Sequence, residues 1–298
     1  MAGSDVETYV RLGGALRDLL DWAVSLVKPG VSVLEIAERV ETRALESGFE
    51  LAFPVNISVG GVAAHYTPPP GDELVLPERG LVKLDAGLMA EGLIVDAART
   101  VDLGGDLSRL VEASREALEA ARLALGPGVR VRDVSSAIYE AIRSRGFKPI
   151  ANLSGHKIER YRLHAGVDVP SVPHVLGMYR FSPGDVFAIE PFVTTARGRG
   201  YVKEAPPAFI FSFRKRVRTR DPAERVVLRS ARERYRGLPF CERWIVRDYG
   251  MRVGYAMERL ARKGALTAYP PLVEAAGEQV AQWEDTFLIT EDGVLNLT

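Results

Sequence analysis

Residues 28–36 read Lys-Pro-Gly-Val-Ser-Val-Leu-Glu-Ile, and residues 126–134 read Gly-Pro-Gly-Val-Arg-Val-Arg-Asp-Val. Pro29 maps onto Pro127 at an offset of 98, and the same offset carries Gly48-Phe49 onto Gly146-Phe147. Further on, Asn56-Ile57-Ser58 resembles Asn152-Leu153-Ser154, and Gly80-Leu-Val-Lys-Leu-Asp85 resembles Gly184-Asp-Val-Phe-Ala-Ile-Glu190. Four segments returning in order describe a chain built from two related halves, about 1–105 and 106–298. Each half opens with two helical patterns. In 5–27, Val6, Val10, Leu16, Leu19, Leu20, Ala23 and Val27 fall near i, i+3, i+4, i+7 spacing, and Lys28-Pro29-Gly30 stops the run. Ser32 is placed to cap the next helix, with Glu35 completing a capping box, and that helix runs to about Ser47. The second half repeats the plan at 107–125 and 131–145, where Asp133 is the capping candidate.

After each helix pair the pattern turns to short β-rich runs. Leu81–Asp85 and Leu93–Asp96 read as an antiparallel hairpin turning near 90–91. That register places Asp85 and Asp96 directly opposite each other on one face. Two carboxylates so placed repel, so either one holds a proton or a cation sits between them. In the second half, 186–195 matches the first strand and its partner is 280–290, which makes 202–275 an insertion with helical patterns at 223–236 and 251–264. The repeat then aligns Asp85 with Glu190 and Asp96 with Glu284. Four carboxylates brought together at a pseudo-axis call for divalent cations, and for two of them.

Composition narrows the class. The 298 residues carry 39 Lys+Arg against 39 Asp+Glu, which argues against a globally basic nucleic-acid binder. Cys241 is the one cysteine, so neither a disulfide nor a CxxC metal site is available. No apolar run reaches the roughly 18–20 residues of a membrane span, and the N-terminus lacks a basic segment followed by an apolar core. A cytoplasmic enzyme is the expectation. Asparagine (Asn56, Asn152, Asn296) and glutamine (Gln279, Gln282) are scarce and prolines number 18, a pattern of thermophilic proteins.

Histidines number four. His65 and His164 are roughly equivalent under the repeat. His156 has no counterpart in the first half, as an asymmetric metal ligand would, and it shares with His164 a Gly-rich segment just ahead of the Glu190 strand. His174, in Pro173-His174-Val175, reads as a structural residue.

At these residues the chain resembles the type 2 methionine aminopeptidases of archaea and eukaryotes. The resemblance is carried by Phe53-Pro-Val-Asn56, Ala64-His-Tyr-Thr-Pro68, Lys83-Leu-Asp85 with Asp96, and Asn152-Leu-Ser-Gly-His156. Leu163-His-Ala-Gly166, Ala188-Ile-Glu-Pro-Phe192 and Gln282-Trp-Glu284 complete it. It implies the α+β pita-bread fold with an internal pseudo-twofold repeat and a helical insertion. It also implies removal of N-terminal methionine ahead of a small second residue, through a water held between two divalent metals (Co, Mn, Fe or Zn). By the same resemblance Asp85 binds one metal, Asp96 and Glu284 bridge both, and His156 and Glu190 complete the second site. His65 and His164 face the substrate, Glu190 handles the proton, and Phe53, Leu163 and Tyr269 line the methionine pocket. One departure stands next to a ligand: Asp285 follows Glu284 where many relatives carry His. Prolidase-type enzymes share the carboxylate core, and some homologues without metal ligands act as binding proteins; the filled ligand positions argue against the latter. The arginine-rich stretch 214–236 suits a solvated helix face or a contact with ribosomal RNA. A monomer is expected, because the repeat already supplies internal symmetry.

Overall fold

The computed structural model describes residues 3–173 and 177–298; His174 lies outside them. Helices α1 (Gly3–Val24) and α2 (Val33–Glu46) pack under the hairpin formed by strands Gly80–Ala90 and Leu93–Leu103. Their inward faces are apolar: Leu12, Leu16, Leu19 and Leu20 on α1, and Ile36, Val40 and Ala44 on α2. Helices α3 (Ser108–Ala124) and α4 (Val131–Ser144) do the same for the second half. Leu110, Ala113, Ala117, Val134 and Ile138 meet Phe187, Ile189 and Phe287 there. Each half therefore covers one face of its strands with helices and leaves the other free to face its counterpart.

The helix starts show which local signals survive. Ser32 does cap α2, its hydroxyl accepting from Glu35 N–H at 3.3 Å. The reciprocal half of the capping box is missing, because the Glu35 carboxylate is 3.2 Å from Arg39 one turn later. Asp133 does not cap α4: the N-cap position is Arg130, with no side-chain bond. The first-turn amides of Val131 and Arg132 are taken instead by the carbonyls of Tyr179 (2.9 Å) and Gly177 (3.3 Å), so a neighbouring extended segment replaces the cap.

The first hairpin turns at Glu91-Gly92, not at 90–91. Both residues have positive φ (52° and 85°), as a two-residue type I′ turn requires. The register is Ala90↔Leu93, Gly87↔Asp96 and Asp85↔Ala98. Asp85 and Asp96 are consequently diagonal neighbours and not directly opposed, but they keep the same face because the displacement is two residues.

The second hairpin forms between the expected segments and is broken in the middle. Val186–Ile189 pairs with Asp285–Ile289, and Phe192–Thr194 pairs with Val280–Gln282. Glu190-Pro191 and Trp283-Glu284 fall in the gap, where Pro191 has no amide to donate. Glu284 turns to the other half: its N–H and C=O exchange bonds with Ala98 at 3.1 and 3.2 Å. Thr100 and Thr286 flank that bridge. The Thr100 hydroxyl donates to Gln282 O at 2.6 Å, and the Thr286 hydroxyl donates to Asp96 O at 2.7 Å. The two halves are thus joined at their carboxylate-bearing faces.

The insertion leaves and returns side by side, Val202–Glu204 pairing with Leu272–Glu274. Between them lie α5 (Pro222–Arg229), continued by a π-helical turn Ser230–Arg234, then α6 (Glu242–Tyr249) and α7 (Gly254–Arg262) around a separate apolar core. The pattern at 223–236 and 251–264 anticipated α5 and α7. Helix α6 is too short to show a periodicity of its own. The whole is an α+β pita-bread fold.

Candidate metal centre

Five side chains meet where the halves join. Asp85 and Asp96 come from the first hairpin, His156 from strand Ser154–Ile158, and Glu190 and Glu284 from the break in the second hairpin. Asp96, His156 and Glu284 each offer one ligand atom within 4.8 Å of the others. His156 Nε2 stands 3.6 Å from Asp96 Oδ2 and 3.7 Å from Glu190 Oε1. The Gln282 amide spans the second-half pair, donating to Glu284 at 3.0 Å and Glu190 at 3.4 Å.

The charges are enclosed and, among the described residues, no Lys or Arg is ion-paired with any of the four carboxylates. Asp96 and His156 are each 4 % exposed, Glu284 1 %. Burial pushes Asp96 up to about 8. Asp85, Glu190 and Glu284 are also raised well above the carboxylate range, first by burial and then by repulsion from Asp96. Burial lowers His156 to about 4, which leaves the imidazole neutral and fit to be a ligand. Asp85 Oδ1, Asp96 Oδ1 and His156 Nδ1 are buried without a hydrogen-bond partner. Such a set is costly as it stands and becomes favourable once divalent cations supply the missing charge, so the residues present fit a metal centre.

Strand Ser154–Ile158 can approach Val186–Ile189 this closely only because residue 155 is glycine. A Cβ there would lie 2.5 Å from Ala188 O and 3.0 Å from Ile189 Cα, both backbone atoms. Gly155→Ala is therefore expected to lower stability by about 1–3 kcal/mol and to weaken divalent-metal affinity by displacing His156. Chemical denaturation and metal titration test this, and unchanged metal affinity would show that His156 does not depend on the close approach.

The remaining expected residues share the same cavity of about 80 Å³: Phe53, His65, Leu163, His164 and Tyr269 line it with the five above. His65 has a left-handed backbone (φ 65°), and its ring meets Tyr269 edge-on at 5.7 Å. His164 meets His156 edge-on at 4.2 Å. The Tyr269 hydroxyl is 3.0 Å from Ser212 Oγ. Four lining residues were given no site role by the sequence reading: Asn56 and Ala64, which lie in its motifs, and Ile210 and Pro239. Asn56 had a signal, being one of three asparagines and sitting in an otherwise apolar run. It pairs with Asp85 in the sheet, and its Oδ1 is buried and unpartnered. Ile210 and Pro239 had none, since only the packing of the insertion brings them to the cavity. Asp285 points elsewhere: Arg99 holds its carboxylate at 2.8 Å, with Asn296 at 3.1 Å.

Two pseudo-symmetric hairpins closing over a buried carboxylate–histidine cluster, beside a small cavity with apolar walls, define a metal-dependent hydrolase. Residues 10–291 match metallopeptidase family M24, and the chain belongs to that family. A methionine aminopeptidase of Pyrococcus horikoshii is 44 % identical over 291 residues, covering 97 % of this chain and 98 % of its own. One from Thermococcus kodakarensis is 45 % identical, over 96 % and 97 %. Among solved structures, a methionine aminopeptidase from Thermotoga maritima superposes with a TM-score of 0.71 at 24 % identity, over 100 % of this chain and 98 % of that one. A thermophilic Arx1 gives 0.87 at 16 %, over 100 % and 91 %. At these identities the two structures bear on the fold alone.

Proposed function

We propose that the protein removes N-terminal methionine from peptides and nascent chains with a small second residue, by metal-dependent hydrolysis. The observation that carries this reading is the convergence of five ligand groups, with Asp85, Asp96 and His156 each keeping a buried atom without a partner, beside a wall of Phe53, Leu163, Ile210 and Tyr269. The identity of relatives over nearly the full chain supports the substrate. Asp85, Asp96, His156, Glu190 and Glu284 would hold two divalent cations, with Mn, Fe, Co and Zn all suited to one imidazole and four carboxylates. Bound there, the cations would lower the pKa of a water towards neutrality and polarise the scissile carbonyl.

The chain's own groups do the rest. The apolar wall takes the flexible thioether of methionine. Glu190 borders the cavity and would pass a proton from the water to the leaving amine. His65 and His164 line the cavity and would donate hydrogen bonds to the peptide and to the oxyanion that forms from it. Residues 1–298 form one catalytic unit in this reading, the 202–275 segment being an insertion into the second half. Expected is metal-dependent release of methionine from a Met-Ala-Ser peptide with no cleavage of an Ala-Pro peptide. The reverse selectivity would assign the protein to the prolidase-like branch.

The protein is taken to act as a cytoplasmic monomer. No helix among the described residues is long and apolar enough to cross a membrane. A second contact is favoured by one observation. Arg216, Arg218, Arg220, Arg225, Arg229 and Arg232 line a surface groove of the insertion in which Glu233 is the single acid. That groove suits the phosphates of ribosomal RNA. Reversing the charge of three of these arginines is expected to weaken ribosome co-sedimentation at low salt while peptide cleavage is spared. Unchanged co-sedimentation would remove the groove from the account.

A further inference from the structure

Glu41 lies on the buried face of α2 among Ile36, Ala37, Val40 and Ala44, and is itself 3 % exposed. Its partner is Arg243, 6 % exposed, in the first turn of α6 in the insertion. The pair is bidentate, at 2.8 and 2.9 Å. Apart from one bond with Trp244, the remaining capacity of both groups goes to one segment of chain. Arg243 Nε donates to Pro68 O at 2.7 Å and its Nη2 to Thr67 Oγ1 at 2.8 Å. Glu41 accepts from Val55 N–H at 3.2 Å and from the Trp244 indole at 2.9 Å. The bonded backbone groups thus sit at the two ends of 55–68, the segment that carries Asn56, Ala64 and His65 into the cavity. Phe53 precedes it by two residues.

That segment holds a conformation it would not choose alone. His65 has φ 65°, an uncommon region for a residue with a side chain, and its Nδ1 is buried without a partner. A strained residue persists only where its surroundings over-determine it. A buried ion pair, for its part, is poor value as a stabiliser, because an apolar pair of like volume often does as well or better. A position to hold, more than stability to gain, accounts for both observations.

We infer that the Glu41–Arg243 pair, with Trp244, is a positioning device that clamps both ends of 55–68 and so aims His65 into the cavity, making the insertion part of the reaction's geometry. Arg243 and Glu41 are positioning residues and touch no reacting atom. The inference rests on the reading of His65 as facing the substrate.

The test uses the full-length, metal-loaded protein and Arg243→Lys, which keeps charge and bulk but cannot keep the fork. Expected is a fall in kcat of about 10- to 100-fold, with unchanged Mn affinity and with loss of folded protein at the assay temperature too small to account for it. The His65 imidazole cross-peaks should move in a histidine NMR spectrum while those of His156 stay. In a His65→Ala background, Arg243→Lys should add little, because both act through one side chain. The double variant Glu41→Leu/Arg243→Met, which leaves no unpaired charge, should fold well and stay slow, and it replaces Arg243→Lys should that variant fail to fold. Parental kcat in the folded variant, full multiplication with His65→Ala, or unmoved His65 signals would each overturn the inference. Should the parent itself release no methionine, the functional reading fails separately, and the His65 signals still decide whether the clamp positions that residue.

Discussion

Asp96→Asn should lower kcat/KM on a Met-Ala-Ser peptide by about 1,000-fold or more, while the metal-free protein becomes more stable. The opposite signs come from one cause. Asp96 repels Asp85, Glu190 and Glu284, and its burial costs free energy whenever it ionises. An amide of the same shape removes that repulsion and leaves the fold in place, since Thr286 bonds only the backbone N–H and C=O of residue 96. The same charge is what a cation needs. Its loss takes a ligand from the cluster of Asp96, His156 and Glu284, and a 1,000-fold effect corresponds to about 4 kcal/mol of transition-state stabilisation. A folded Asp96→Asn protein within tenfold of parental activity would mean that the chemistry lies elsewhere.

Stripping the protein of divalent ions should abolish turnover and lower its resistance to denaturant, and adding back Mn, Co, Fe or Zn should restore both. At about 1,000 times the dissociation constant, a cation bound only by the folded state contributes about 4 kcal/mol. The metal-free form should also carry a pH signature. The Asp96 carboxyl is held near 8 in the folded chain against 3.8 for an ordinary aspartate. Its contribution is complete below the unfolded value and is lost as pH rises through 8, with a slope of at most about 1.4 kcal/mol per pH unit. Lys83, lowered to about 7, works the other way: its contribution is complete above its ordinary 10.5 and falls away as pH drops through 7. The difference in unfolding free energy between the parent and Asp96→Asn isolates the carboxylate. That difference should move against the parent from about pH 5 to pH 8 without metal, and should vanish or change sign with metal bound. A flat difference would mean that Asp96 is ionised in the metal-free protein and that another charge compensates it.

The candidate carboxylate ligands were legible because two of them break a local rule and the repeat supplies the other two. Asp85 and Asp96 interrupt apolar strands, Glu190 ends one, and the repeat marks Glu190 and Glu284 as their counterparts. Their alignment across the first hairpin was misjudged by two residues, because it depends on which residues of 90–92 take positive φ. Gly92 can, and Glu91 joins it in the turn, where Tyr161 packs against Gly92 so closely that a Cβ would stand 2.4 Å from its ring. Asp133 was a sound capping candidate that lost to a backbone segment arriving from 177–181. Ile210, Pro239 and the Glu41–Arg243 pair left no trace in the sequence, since their partners lie far away along the chain.

The order of amino acids by itself determined the duplication, the two helix pairs, the strands that follow them and the acids on those strands. These rest on periodicity, turn chemistry and short-range propensity, which act between residues close in the chain. Docking of the halves decided how the carboxylates lose their water, which atoms are left without partners, and which residues of the insertion wall the cavity. Burial and charge repulsion depend on everything nearby in space, and the chain acquires those neighbours only by folding.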